Sequence, residues 1–246
     1  MSSRAESSGV RLDTLGLFLA GLINTFLALF VAGVLLAPGT AARQPDLLLR
    51  ADWLVQNLQL WRAGWFFWFA VTLSFAWSYF ALGRHLQAAP PWSRLAIGLA
   101  LIAAAVDIVG VLINLVVLPG LAQQLSSGSA DPFSTLQIVY QSMESLAYAL
   151  VNVTAFGLYS LAGLLLIPAV FAEPDYPRWL AWLGAVEWGI AVLATALLVL
   201  APDIATAPLL VSFLLYAPWV WGSAFWLWRN RRINEPGVRS PPEISL

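Results

Sequence analysis

The chain has 246 residues, 60% of them hydrophobic and 10% charged, with a formal net charge of −1 and a mean hydropathy of +0.78. Soluble domains carry about 25% charged residues, so the composition excludes one and places the chain in lipid as a single membrane domain. The inventory excludes further chemistry: no Cys for disulfides, thiolate nucleophiles or clusters, no Lys for a Schiff base, and one His, too few for a bis-histidine haem or a His-rich di-iron site.

A spanning helix needs about 20 apolar residues at 1.5 Å each. Six stretches qualify: Leu15–Leu36, Ala63–Leu82, Leu95–Leu118, Leu146–Phe171, Trp179–Leu200 and Ala207–Trp228. They predict an all-α, six-transmembrane-helix bundle over residues 15–229, between a short N-terminal segment, 1–14, and a mobile tail, 230–246. With the N-terminus inside, Arg4, Arg11, Arg84, Arg94, Arg178, Arg229, Arg231, Arg232 and Arg239 fall on the inner side, and only Arg43, Arg50 and Arg62 outside. That bias predicts cytoplasmic termini. The exclusive use of Arg suggests a bacterial genome and hence a bacterial inner membrane.

The first stretch follows Arg4 and Arg11 as a signal peptide would, but its apolar run exceeds the usual 7–15-residue core, so it is expected to be retained. Asn24 and Thr25 sit midway along it, and Gly16, Ala20 and Gly21 offer a small-residue face for a neighbouring helix. In the connection that follows, PDLLLRADWLVQNLQLW has apolar residues at helical spacing, interrupted by Asp46, Arg50, Asp52, Gln56 and Asn57. Two readings stay open: an amphipathic helix lying on the membrane surface, or a helical extension that caps the bundle. The second span places Trp61, Trp65, Trp68, Phe75 and Tyr79 on one stripe. Such a stripe walls a ligand site or simply packs. The turn after it holds His85, read as a solvated residue.

The third span carries Asp107 in its middle, with Gly110 and Asn114 beyond it. An ionisable group at that depth is costly and by default functional. A polar Gly/Ser connection leads to a fourth helix starting near Phe133, on which Glu144, Tyr148, Asn152 and Tyr159 share one side, and which Pro168 and Pro174 bring to an end. The fifth span carries Glu187. The sixth is expected to start with Asp203 as N-cap and to bend at Pro218, freeing a carbonyl near Trp219 and Trp221. Asp107 lies thirteen residues after Arg94 and Glu187 nine after Arg178, so spans three and five do not make a convincing repeat.

At 1.5 Å per residue, Asp107 and Tyr159 come out about 18 Å from the inner edge, with Asn24 and Glu187 a few ångströms lower. The four are expected to form one buried polar layer. Within it a neutral Asp107 would donate to Asn24 or Tyr159 as a structural clip; alternatively Asp107 and Glu187 relay protons or cations, or floor a pocket. Arg62 is expected to meet Glu144 near the outer surface, beside Tyr148 and Asn152. The candidate ligand wall is Trp61, Trp65, Trp68, Phe75, Tyr79, Trp219 and Trp221. No catalytic motif, phosphate loop or metal-spaced cluster occurs, and no cofactor or nucleic-acid partner is expected.

Three segments carry a resemblance: Leu60-Trp61-Arg62-Ala63-Gly64 closing the leucine-rich connection, Pro177-Arg178-Trp179-Leu180-Ala181-Trp182-Leu183-Gly184 entering span five, and Trp226-Leu227-Trp228-Arg229 closing span six. In their order along the chain it resembles the bacterial domain of unknown function 4386 family of six-span membrane proteins. The resemblance implies a six-helix bundle and no particular activity. Three function classes follow from the residues. One is an accessory subunit or a binder of a lipid or hydrophobic small molecule; the others are a small proton- or ion-coupled transporter and an intramembrane enzyme.

Overall fold

A computed structural model describes residues 2–127 and 135–234. Seven helices make up the described chain: α1 (Gly9–Gly39), α2 (Leu47–Gln56), α3 (Leu58–Gly83), α4 (Pro90–Ser126), α5 (Thr135–Ala172), α6 (Arg178–Leu200) and α7 (Pro202–Asn230). All but α2 are long and apolar enough to cross a membrane, so the chain is a six-span helical protein. All the spans but α6 begin several residues before the hydropathy-defined limits, and α4 also ends several residues beyond its limit, at Ser126 rather than Leu118. Polar helix ends such as Gln123–Gln124 continue the backbone hydrogen bonding, although they do not register as lipid-soluble. The start expected near Phe133 and the tail beyond Asn234 lie outside the described residues.

The spans form a closed ring in chain order. α1 packs on α3, α3 on α4, α4 on α5, α5 on α6 and α6 on α7, and α7 returns to α1. Close approach rests on small residues. Ala96, Ala100 and Ala103 make a fully buried stripe on α4, and Ala155, Ala162 and Ala169 do the same on α5. The outward faces carry large apolar side chains, among them Phe66, Val116, Trp179 and Leu200, as lipid contact demands. Two faces can be told apart. The terminal face holds the start of α1, the end of α7 and the turns at 84–89 and 173–177. The loop face holds residues 40–57 and the α6–α7 turn.

Within the ring, the half toward the terminal face is filled by aromatic rings. Trp188 contacts Tyr79, Tyr216 and Trp219 at centroid separations of 5.6, 5.9 and 5.5 Å. Trp188 lies against Gly163, and Trp219 against Gly184. Beneath this plug, Tyr176 shares a 2.8 Å hydrogen bond with Ser223 Oγ and stacks edge-on against Trp226. Burial pushes the Tyr176 phenol above its ordinary range, so it stays a neutral hydrogen-bonding group.

Several expectations are corrected at this level. His85 is not a free solvated residue: its Nε2 lies 2.6 Å from Asp13 Oδ2, and Arg84 Nε donates to the same oxygen at 2.5 Å. Asp13, fully buried on α1, thereby fastens the α3–α4 turn. Pro168 lies inside α5 and does not end it, the helix closing at Ala172; Pro218 lies inside α7 as expected, and Pro208 does too. Asp203 sits in the first turn of α7, where its charge suits the positive end of the helix dipole, and Ala201 precedes the helix.

Of the two readings for the first connection, α2 follows the capping one. Asp46 Oδ1 accepts from the amides of Leu48 and Leu49 at 2.9 and 3.0 Å and starts the helix. Ala51 and Leu54 are buried where α2 packs on the last turns of α4. At Asn57 the chain breaks direction, and α3 begins.

Candidate functional site

Toward the loop face, the interior is not filled. A wide chamber of about 630 Å³ is lined by Trp61, Trp65 and Trp68 of α3, Asn114 of α4, and Tyr140, Glu144, Tyr148 and Asn152 of α5, with Arg50 of α2 at its mouth. A second, deep chamber of about 140 Å³ is bounded by Trp68, Phe75, Asp107, Phe156, Tyr159 and Phe213. Ala32, Trp68, Val151 and Asn152 belong to both linings, so the two adjoin. Exposed Ala32 and Leu210 border the deep chamber.

Local helix geometry makes this room. α1 is wound with wide, π-type turns at Ile23–Leu27 and Val31–Leu36, α4 at Ile113–Val117 and α5 at Ala149–Ala155. Each of these helices contributes a lining residue from such a turn: Ala32, Asn114 and Asn152. π-turns widen a helix and are concentrated at functional sites. The turn in α4 presents the Asn114 carbonyl to Trp61, whose indole donates to it at 2.7 Å. The three tryptophans then follow edge-to-face, Trp61 to Trp65 at 5.8 Å and Trp65 to Trp68 at 6.2 Å. Their order follows from the i, i+4, i+7 spacing on α3.

At the mouth, the partner of Glu144 is Arg50 rather than Arg62. Arg50 Nε and Nη2 donate to the two carboxylate oxygens at 2.9 and 2.6 Å, and Nη1 donates to the carbonyls of Gln44 and Pro45. Arg62 points outward and lines a shallow groove with Phe66, Phe67 and Val116. The break at Asn57 separates α2 from α3 and leaves α2 packed on the last turns of α4, an arrangement invisible in a continuous helical pattern.

The expected polar layer divides in three. Asp107 and Tyr159 do converge, and the meeting point is Thr72. Thr72 Oγ1 lies 2.7 Å from Asp107 Oδ2, and the Tyr159 hydroxyl donates to the Thr72 carbonyl at 3.3 Å. Asn24 instead donates to Ser74 Oγ at 2.8 Å. Glu187 accepts from Ser212 Oγ at 3.2 Å between α6 and α7, away from both chambers. Of the candidate wall, Trp61, Trp65, Trp68 and Phe75 line the cavity, while Tyr79 and Trp219 belong to the plug. Trp221 lies near the surface, donating to the Phe18 carbonyl at 3.0 Å. Thr72 was legible: it is the one polar residue within the α3 stripe, four after Trp68 and three before Phe75.

The Thr72 hydroxyl also lies 3.2 Å from the Trp68 carbonyl, so its proton has two destinations. Against a carboxylate it points to Asp107; against a protonated Asp107 it turns to Trp68 and accepts the acid proton instead. Among the described residues the indole nitrogen of Trp65 has no hydrogen-bond partner, and the Trp68 indole lies toward the Asp107 carboxyl without a close hydrogen bond. We expect Thr72→Val to cost about 1–3 kcal/mol by stripping the second carboxyl oxygen of its partner, and Thr72→Ser to restore most of it. Unfolding by SDS titration in mixed micelles checks the pair; equal stability of Val and Ser variants would show that the contact contributes nothing.

Comparison of the chain with protein-family models, curated proteins and solved structures finds no match in any of the three.

Proposed function

We propose that this protein binds a lipid-soluble small molecule or a lipid within the membrane, in the two-chambered cavity of its loop-face half. One observation carries the reading: a chamber of about 630 Å³ walled by three tryptophans adjoins a second at Asp107. Ligand pockets span about 300–1,000 Å³, are mainly apolar and hold a few placed polar groups. Here those groups are Asn114, Asn152 and the Arg50–Glu144 pair around the wide chamber, and Asp107 at its deep end. Indole N–H groups and a carboxyl oxygen without a close hydrogen bond are costly in a dry interior; a ligand that bonds to them would offset that cost. The borders at Ala32 and Leu210 offer a route from lipid. The proposed location is the inner membrane of a bacterium with the loop face outward. Kinship with the domain of unknown function 4386 family is likewise a proposal, and it supplies no activity.

N-phenyl-1-naphthylamine, a neutral fluorophore, tests the reading. The purified protein should enhance its emission saturably, and Ala32→Phe, which fills the junction of the chambers, should abolish the saturable part with the fold intact by circular dichroism. Equal emission from both proteins would overturn it. A coupled transporter is the second reading, favoured by a cavity that ends on an acid above an aromatic plug. It requires a proton- or ion-driven flux in proteoliposomes that Asp107→Asn eliminates.

A further inference from the structure

The two chambers differ in chemistry, and the difference specifies a ligand. The charged side chains in their described linings are Arg50, Glu144 and Asp107. Arg50 and Glu144 neutralise one another through a bidentate contact. Asp107 therefore supplies the one acid without a cationic partner in the cavity. Its Oδ2 meets the Thr72 hydroxyl and the Trp68 indole lies toward the same carboxyl, but none of the salt bridges among the described residues includes it.

Around that carboxyl stand five aromatic side chains, Trp68, Phe75, Phe156, Tyr159 and Phe213. Their rings are already ordered against one another. Phe75 stacks on Tyr159 at 5.0 Å, Phe156 stacks on Phe213 at 5.8 Å, and Phe75 meets Phe213 edge-on at 6.3 Å. Aromatic faces carry negative potential and attract cations, ammonium groups above all, most strongly when desolvated. An acid inside such a cage suits a cation far better than a neutral or anionic group. The size also fits: a cavity of about 150 Å³ holds a benzene-sized group, and the deep chamber has about 140 Å³. A larger apolar body would then occupy the wide chamber against Trp61 and Trp65.

Resting on the binding function proposed above, we infer that the deep chamber takes the ammonium head of a lipophilic amine, with Asp107 as its counter-ion and the ring cage as its wall. The apolar remainder of the amine lies in the wide chamber. A small alkylammonium without an apolar body would gain only half the site, and an anionic amphiphile would be repelled at Asp107.

The test compares two probes of one shape, benzyltrimethylammonium and its uncharged carbon isostere neopentylbenzene, by equilibrium dialysis against the full chain in dodecyl maltoside. The ammonium should bind at least tenfold more tightly than the isostere. Asp107→Asn should bring the two affinities together, whereas Glu187→Gln, which alters a buried acid outside the cavity, should leave the ratio unchanged. Phe213→Leu, which opens the cage without touching the acid, should lower ammonium affinity several-fold and spare the isostere. Equal binding of both probes by the unmodified protein would overturn the ammonium assignment and leave the binding function standing. Binding of neither probe would overturn the assignment, and failure of N-phenyl-1-naphthylamine as well would remove the binding function with it. The probe comparison on unmodified protein decides the matter even where Asp107→Asn does not fold.

Discussion

Arg50→Ala should be the most damaging single change on the loop face, with a loss of about 3 kcal/mol, the lower end for breaking a buried ion pair by removing one partner. The Arg50 side chain is 5% exposed and that of Glu144 22%. Removing the guanidinium therefore leaves a carboxylate that water reaches only in part. It also frees the carbonyls of Gln44 and Pro45, which Arg50 Nη1 holds at 2.7 and 3.0 Å. Arg50→Lys should recover little, because an ammonium cannot grip both carboxylate oxygens and two carbonyls from one fixed fork. The double variant Arg50→Met/Glu144→Gln should be more stable than Arg50→Ala alone, since no unpaired charge remains. SDS titration followed by circular dichroism reads all three. If Arg50→Ala melted like the unmodified chain, α2 would not be anchored by this pair. Accelerated cleavage within residues 40–57 of that variant by a protease would localise the effect.

Gly163→Ala should destabilise by about 1–3 kcal/mol, although alanine is the better helix former by about 1 kcal/mol. A methyl group there would overlap the six-membered ring of the Trp188 indole. Trp188 has no alternative seat, held as it is by Tyr79, Tyr216 and Trp219. The overlap must then be relieved by parting α5 from α6, which gives up the packing that joins helices in lipid. Gly189→Ala is the control, because among the described residues nothing lies within 4 Å of a methyl group at that position; it should be neutral or slightly stabilising. Combining Gly163→Ala with Trp188→Leu should yield a coupling energy, since the second change removes the ring that the added methyl group strikes. A purely additive double variant would show that the clash is absorbed elsewhere. Loosening of the plug should also appear as a red shift of tryptophan emission, as water gains access to the buried indoles.

How much of this was open to inspection in one dimension depends on the range over which each property is set. Bilayer crossing is set locally, by about 20 consecutive apolar residues, so hydropathy alone determined the six spans and the all-α class. Depth is also local. Residue counting placed Asp107 and Tyr159 at one level because helical rise is fixed, and they do meet at Thr72. The α3 stripe of Trp61, Trp65 and Trp68 followed from periodicity for the same reason. What counting cannot supply is the direction in which a side chain points around the ring. The same count puts Asn24 and Glu187 near the depth of Asp107, yet helix packing turns Asn24 to Ser74 and Glu187 to Ser212. The break at Asn57 similarly brought Arg50, and not Arg62, to Glu144, because a change of chain direction leaves the apolar periodicity on either side intact. The cavity was decided only in three dimensions. It exists because wide turns in α1, α4 and α5 leave space on the loop-face side that the aromatic plug fills on the other. Packing density is a property of helices together, and no single span encodes it.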